Sequence, residues 1–103
     1  MSAHEYVVRM SSRFERLAAK LSARHPEFAA TLEVAIAILE TRPKPKPPSG
    51  GDEEQDIIKL EGRRPGEGQY RFKRKRWRFL YDIAGHDVEL LWCGLRNEKT
   101  YRG

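Results

Sequence analysis

Tyr70-Arg71-Phe72-Lys73-Arg74-Lys75-Arg76-Trp77-Arg78-Phe79-Leu80-Tyr81 is the stretch on which the reading of this 103-residue chain turns. Aromatic and aliphatic residues alternate with arginine and lysine, the period of two expected of strands with one buried face. The pattern predicts two adjacent strands, about 69–75 and 77–84, with Arg74, Lys75 and Arg76 at the turn between them. The unusual feature is the second face, which is basic rather than mixed in charge. From Arg63 to Arg78, eight cations (Arg63, Arg64, Arg71, Lys73, Arg74, Lys75, Arg76, Arg78) stand against Glu67 alone, so the local charge of +7 exceeds the +5 of the whole chain. A solvated charged face is the ordinary explanation of such a run. Interleaving with Tyr70, Phe72, Trp77, Phe79 and Tyr81 weakens that explanation and favours a surface for a polyanion, RNA first.

The rest of the composition bounds the answer. A chain of this length forms one domain, 1–103, with a modest core. Its sequence pI of about 9.6 is basic. Cys93 is the only cysteine and lies in an apolar run, so it reads as a small buried hydrophobe, and a reducing compartment fits. The N-terminus lacks the apolar segment of a signal peptide, and no apolar run approaches the ~20 residues that span a bilayer. A cytoplasmic location is expected.

Outward from the basic stretch, the chain reads as β-α-α-β-β-β. Glu5–Met10 favours a short first strand. Ser12 with Glu15 makes a capping box, and Phe14, Leu17, Ala18 and Leu21 follow at helical spacing. His25-Pro26 breaks this helix and opens a second, to about Glu40, with Phe28, Leu32, Ala35, Ile36 and Leu39 on one side and Val34 and Ile38 widening the apolar face. Arg42 to Gln55, rich in proline and glycine, reads as a solvated loop. Asp56–Leu60 is a short strand or pre-strand segment. Gly85-His86-Asp87 turns the chain into a last strand, 88–93, whose nearly continuous apolar content predicts a central position buried on both faces. The fold class is α+β, an N-terminal helical hairpin packed on one face of a small, mainly antiparallel, twisted sheet.

Leu60-Glu61-Gly62, Tyr70-Arg71-Phe72-Lys73, Trp77-Arg78-Phe79-Leu80-Tyr81, Gly94-Leu95-Arg96 and Tyr101 together resemble the RelE/ParE superfamily of toxins from type II toxin–antitoxin systems. The match runs in order through the C-terminal half and is closest to the RelE-like messenger RNA endonucleases. The resemblance implies a toxin that cleaves mRNA in the ribosomal A site, inhibits translation, and is held inactive by a cognate antitoxin in a hetero-oligomer. It further implies a reaction without metal or cofactor, in which the RNA 2′-hydroxyl attacks the adjacent phosphate. Such chemistry needs a proton acceptor, cations on the phosphorane and a donor to the leaving 5′-oxygen.

Carried over residue by residue, the resemblance assigns the catalytic set Lys73, Arg71, Arg78, Arg96 and Tyr101. Arg71 and Lys73 are two apart on one strand and so share a face. Lys73 is the better base, because arginine is effectively always protonated. Arg78 matches the arginine that clamps the scissile phosphate through a bidentate fork. Arg96 matches the residue at the leaving group, and Tyr101 the tyrosine that stacks on or orients a base. Arg74, Lys75, Arg76 and Lys99 are expected to hold the RNA backbone. The family's C-terminal histidine is missing, with Leu95 in its position, and the proline-rich loop is longer than usual. His4, His25 and His86 are scattered without metal-ligand spacing, so no metal site is expected. Two other readings share the fold, a ParE-like gyrase inhibitor and a catalytically degenerate member that binds RNA or antitoxin only.

Overall fold

The structure, a computed structural model, describes residues 5–45 and 56–95. Its elements are β1 (Val7–Met10), α1 (Ser12–Arg24), α2 (Glu27–Thr41), β2 (Ile57–Lys59), β3 (Tyr70–Arg74), β4 (Trp77–Ala84) and β5 (Asp87–Leu95). The strands form one sheet in the order β1-β5-β4-β3-β2. Every pairing is antiparallel except β1 with β5, which is parallel. The α+β architecture expected from the sequence is the one observed, and of the proline-rich loop only 42–45 falls within the described residues.

Local chemistry sets the helix ends. The cap of α1 is Ser11 rather than the expected Ser12: its hydroxyl accepts the Phe14 N–H at 3.0 Å. Two serines in a row made the sequence ambiguous by one residue, and the cap falls where the backbone is still extended, with ψ 162°. Pro26 takes helical angles one position ahead of α2 and removes the N–H that would go unpaired there. After α2, the Pro43 carbonyl accepts a hydrogen bond from the Tyr81 hydroxyl at 2.6 Å. Arg42 meets Asp56 at 3.1 Å, tying together the two sides of the long loop.

Both helices lie on one face of the sheet. Phe14, Ala18, Phe28, Ala35 and Leu39 pack on Ile57, Phe72, Trp77, Phe79, Tyr81, Val88, Leu90 and Cys93. On α2 the sequence placed Val34 at the margin of the apolar face; it is exposed, and the buried stripe includes Thr31 instead, whose hydroxyl donates to the Glu27 carbonyl at 3.2 Å. Phe79 sits at the centre, with ring centroids of Phe72, Phe28 and Phe14 at 5.9, 6.0 and 6.4 Å. Truncating it empties a fully buried ring site, so Phe79→Ala is expected to cost about 3–5 kcal/mol, much of a small domain's stability. Urea unfolding, read as a lower midpoint at constant slope, checks this.

The last strand departs from expectation. β4, not β5, is the central strand, and β5 lies between β4 and β1. A bulge leaves Leu91 without a directly opposed residue, since Leu80 pairs with Trp92 and Tyr81 with Leu90. The bulge reverses which side each residue faces. Val88, Leu90 and Cys93 therefore all join the core under the helices, while Trp92 pairs with Leu80 outside it. The second half of β5 is buried on both faces, with Cys93 under the helices and Trp92, also buried, on the other side; only Glu89, before the bulge, is exposed.

Candidate nucleic-acid interface

The period of two in β3 and β4 puts Phe72, Trp77, Phe79 and Tyr81 against the helices. Arg71, Lys73 and Arg78 consequently share the opposite, helix-free face. Lys73 stands directly opposite Arg78, and Arg71 opposite Leu80, so three cations occupy neighbouring positions across two strands. Arg71 and Lys73 are half-buried, and Arg78 is only 7% exposed. The Arg78 guanidinium bends back on its own hairpin, where Nη1 donates to the Trp77 carbonyl at 3.1 Å and reaches the Lys75 carbonyl at 3.5 Å. A buried guanidinium fixed by backbone carbonyls is a preorganised cation, which is what an oxyanion at a phosphate needs.

An apolar floor continues the face. Leu80 is buried beneath the loop that enters β3: a Cβ on Gly68 would fall 2.7 Å from that of Leu80, so the approach requires glycine, as does the positive φ of 88°. The Trp92 ring folds along β5 over Gly94, where a Cβ would fall 2.5 Å from it. Gly94 is the β5 residue opposite Arg78, so the indole lies beside the arginine's position in the sheet. Further along the face the charge reverses. Asp82 and Glu89 oppose each other across β4 and β5, and Asp87 meets Arg9 at 3.8 Å. Asp82 accepts from the Gly66 N–H and from the Gln69 N–H at 2.8 Å, holding the 61–69 loop over this end. Nothing local marks that anchor in the sequence, because its partners are backbone amides of the preceding loop.

The turn residues divide. Lys75 is exposed and takes the left-handed region, with φ 54°, in the two-residue connection between the paired Arg74 and Trp77. A lysine there carries strain that glycine would not. Lys75→Gly is expected to stabilise the fold by about 1 kcal/mol, visible as a higher denaturant midpoint. Arg76 is drawn to the helix side. Its guanidinium lies 5.0 Å above the Trp77 ring, pairs with the Glu27 carboxylate and meets His25 Nδ1 at 2.9 Å. Arg74 ends β3, half-buried. Arg96, Lys99 and Tyr101 lie outside the described residues.

Two titratable residues in the strands are unsuited to proton transfer. Burial pushes the Tyr81 hydroxyl far above its ordinary value and the Cys93 thiol up to about 12. Cys93 is thus an inert core residue, as its surroundings suggested.

No family model matches the sequence, and no curated protein does. Solved structures do. The chain is 24% identical to one from the toxin–antitoxin complex RelBE2 of Mycobacterium tuberculosis, with a TM-score of 0.58 over 94% of this chain and 98% of that one. It is also 24% identical to one from the archaeal RelE–RelB complex of Pyrococcus horikoshii OT3, with a TM-score of 0.60 over 91% and 98%. Over nearly its whole length, therefore, the chain has the fold found in RelE–RelB toxin–antitoxin complexes.

Proposed function

We propose that this chain is the toxin of a type II toxin–antitoxin pair, working in the cytoplasm as a ribosome-dependent endoribonuclease that cleaves mRNA without a metal ion. The observation that carries the reading is the convergence of Arg71, Lys73 and buried Arg78 on the helix-free face beside Trp92. The fold shared with chains of two toxin–antitoxin complexes supports an antitoxin as partner.

In this reading Lys73 accepts the proton of the RNA 2′-hydroxyl, whose oxygen attacks the adjacent phosphorus. Arg78 and Arg71 stabilise the added negative charge on the phosphorane. The 5′-oxygen then leaves with its developing negative charge met by the Arg96 guanidinium and takes up a proton from solvent, while Tyr101 orients a neighbouring base. The products carry a 2′,3′-cyclic phosphate and a 5′-hydroxyl. RNA permits this route because its nucleophile is internal. The reversal of charge toward Asp82 and Glu89 favours phosphates at the hairpin end of the face.

A translating extract with supercoiled plasmid and gyrase tests the reading against its rivals. The nuclease cuts mRNA and leaves supercoiling untouched. Loss of supercoiling with intact mRNA would make the chain a gyrase inhibitor, and RNA binding with neither effect a degenerate member. Binding of a single-stranded RNA is expected to weaken with salt, at a logarithmic slope near −2 if about three phosphates are neutralised. A flat dependence would detach the basic face from RNA.

A further inference from the structure

The proposed chemistry leaves unexplained a cluster on the helix side of the β3–β4 hairpin. Arg76 leaves the turn, covers the Trp77 ring at 5.0 Å and pairs with Glu27 from the first turn of α2. Its Nη2 also meets Nδ1 of His25, the residue that ends α1, at 2.9 Å. His25 and Phe28 stand edge-on to the same indole, at 5.2 and 4.8 Å. The junction of α1 and α2 and a hairpin 49–51 residues further along the chain are thus fastened at one point.

The connection to Arg78 is covalent and short. The Lys75 carbonyl that Arg78 reaches belongs to the peptide whose nitrogen is Arg76's own, and the other acceptor is the carbonyl of Trp77. Fixing the Arg76 side chain to α1 and α2 therefore restrains the peptide groups that hold the Arg78 guanidinium. Lys75 points the same way: its φ of 54° is a conformation that persists only when surroundings hold it. We infer that Glu27 and His25 are positioning residues for Arg78, acting through Arg76 and the turn, and that protonation of His25 loosens this hold. The relevance to catalysis rests on the nuclease reading; the structural coupling does not.

The proton dependence has a definite sign. An Arg76 N–H can donate to Nδ1 only while that nitrogen is unprotonated, and a proton there sets two cations against each other. The charged groups against the His25 ring are Glu27 from α2, at 4.0 Å, and Arg76 from the hairpin; Trp77 of β4 is uncharged. Arg24, its neighbour in α1, lines the cleft toward β5. Protonated His25 would also compete with Arg76 for Glu27. The Glu27 carboxyl itself is held below its ordinary range, first by its own backbone N–H and then by Arg76, with desolvation opposing. Its pairing is therefore complete at neutral pH and fades only as pH falls through that lowered value. A loosening near neutral pH is therefore not the carboxylate's.

The test uses the full chain labelled with 15N, following solvent exchange of the Arg78 side-chain Nε–Hε by NMR, with cleavage of mRNA on ribosomes measured alongside. Glu27→Gln is expected to speed Arg78 exchange roughly tenfold and lower kcat by a similar factor at little changed KM, the mark of a loss felt in the transition state. Glu27→Asp should restore both. In the wild type, protection of Arg78 relative to its intrinsic, base-catalysed exchange rate should fall from pH 7.5 to 5.5, and His25→Gln, which keeps an acceptor but takes no proton, should flatten that fall. Unchanged Arg78 exchange in Glu27→Gln, or the same pH dependence in His25→Gln, overturns the inference. Faster exchange with unaltered kcat overturns the positioning role. If the wild type cleaves no RNA, the nuclease reading falls, and the exchange data alone decide the coupling.

Discussion

Arg78→Ala is expected to lower the rate of mRNA cleavage by about 10²–10³-fold, the effect of deleting one preorganised donor to a developing oxyanion. The size follows from where the side chain lies. At 7% exposure, with Nη1 held by the Trp77 carbonyl, its charge is already oriented before substrate arrives. Water can replace the charge in the variant but must reorganise during the reaction, and that reorganisation is the loss. Arg78→Lys should recover little of it, because an ammonium lacks the planar fork that grips two phosphate oxygens at once. Single-turnover cleavage on stalled ribosomes checks this, with the unfolding midpoint confirming that the variant is folded. A rate within threefold of wild type would remove Arg78 from the chemistry.

Lys73→Ala is expected to cost about 10²–10⁴-fold, the usual contribution of a positioned general base. Arg71→Lys, which keeps the cation, should cost far less. The distinction rests on chemistry: of the two residues on the helix-free face of β3, lysine can serve as a proton acceptor and arginine cannot. The register sets Lys73 opposite Arg78, so the acceptor and the phosphate clamp lie side by side. If Lys73→Ala is the milder of the two, Arg71 is the key group and the base must be sought elsewhere. Cleavage rates of both variants against pH supply the comparison.

Much of the fold was legible because its signals are local. Alternation from Tyr70 to Tyr81 defines both strands and sorts Phe72, Trp77, Phe79 and Tyr81 from Arg71, Lys73 and Arg78, as the structure has them. What escaped was non-local. The parallel pairing of β1 with β5 joins Val7 to Asp87, and no short-range pattern encodes it. The bulge at Leu91 has no periodicity of its own, so its change of parity was not legible. Arg76 looked like a ligand contact because Glu27 and His25 lie 49 and 51 residues away. The loop anchor Asp82 was hidden for the same reason, its partners being backbone amides of a preceding turn. The assignments of Arg96, Lys99 and Tyr101 rest on the resemblance alone.

The most direct measurement is the chemistry of the cut ends. Ribosome-bound mRNA should be incubated with the wild-type chain and with Arg78→Ala, with and without a transition-metal chelator that leaves the ribosome's magnesium in place. The proposed mechanism predicts 5′-hydroxyl and 2′,3′-cyclic phosphate termini, undiminished by the chelator and lost in the variant. Ends bearing 5′-phosphates, cleavage abolished by the chelator, or no cleavage at all would contradict it.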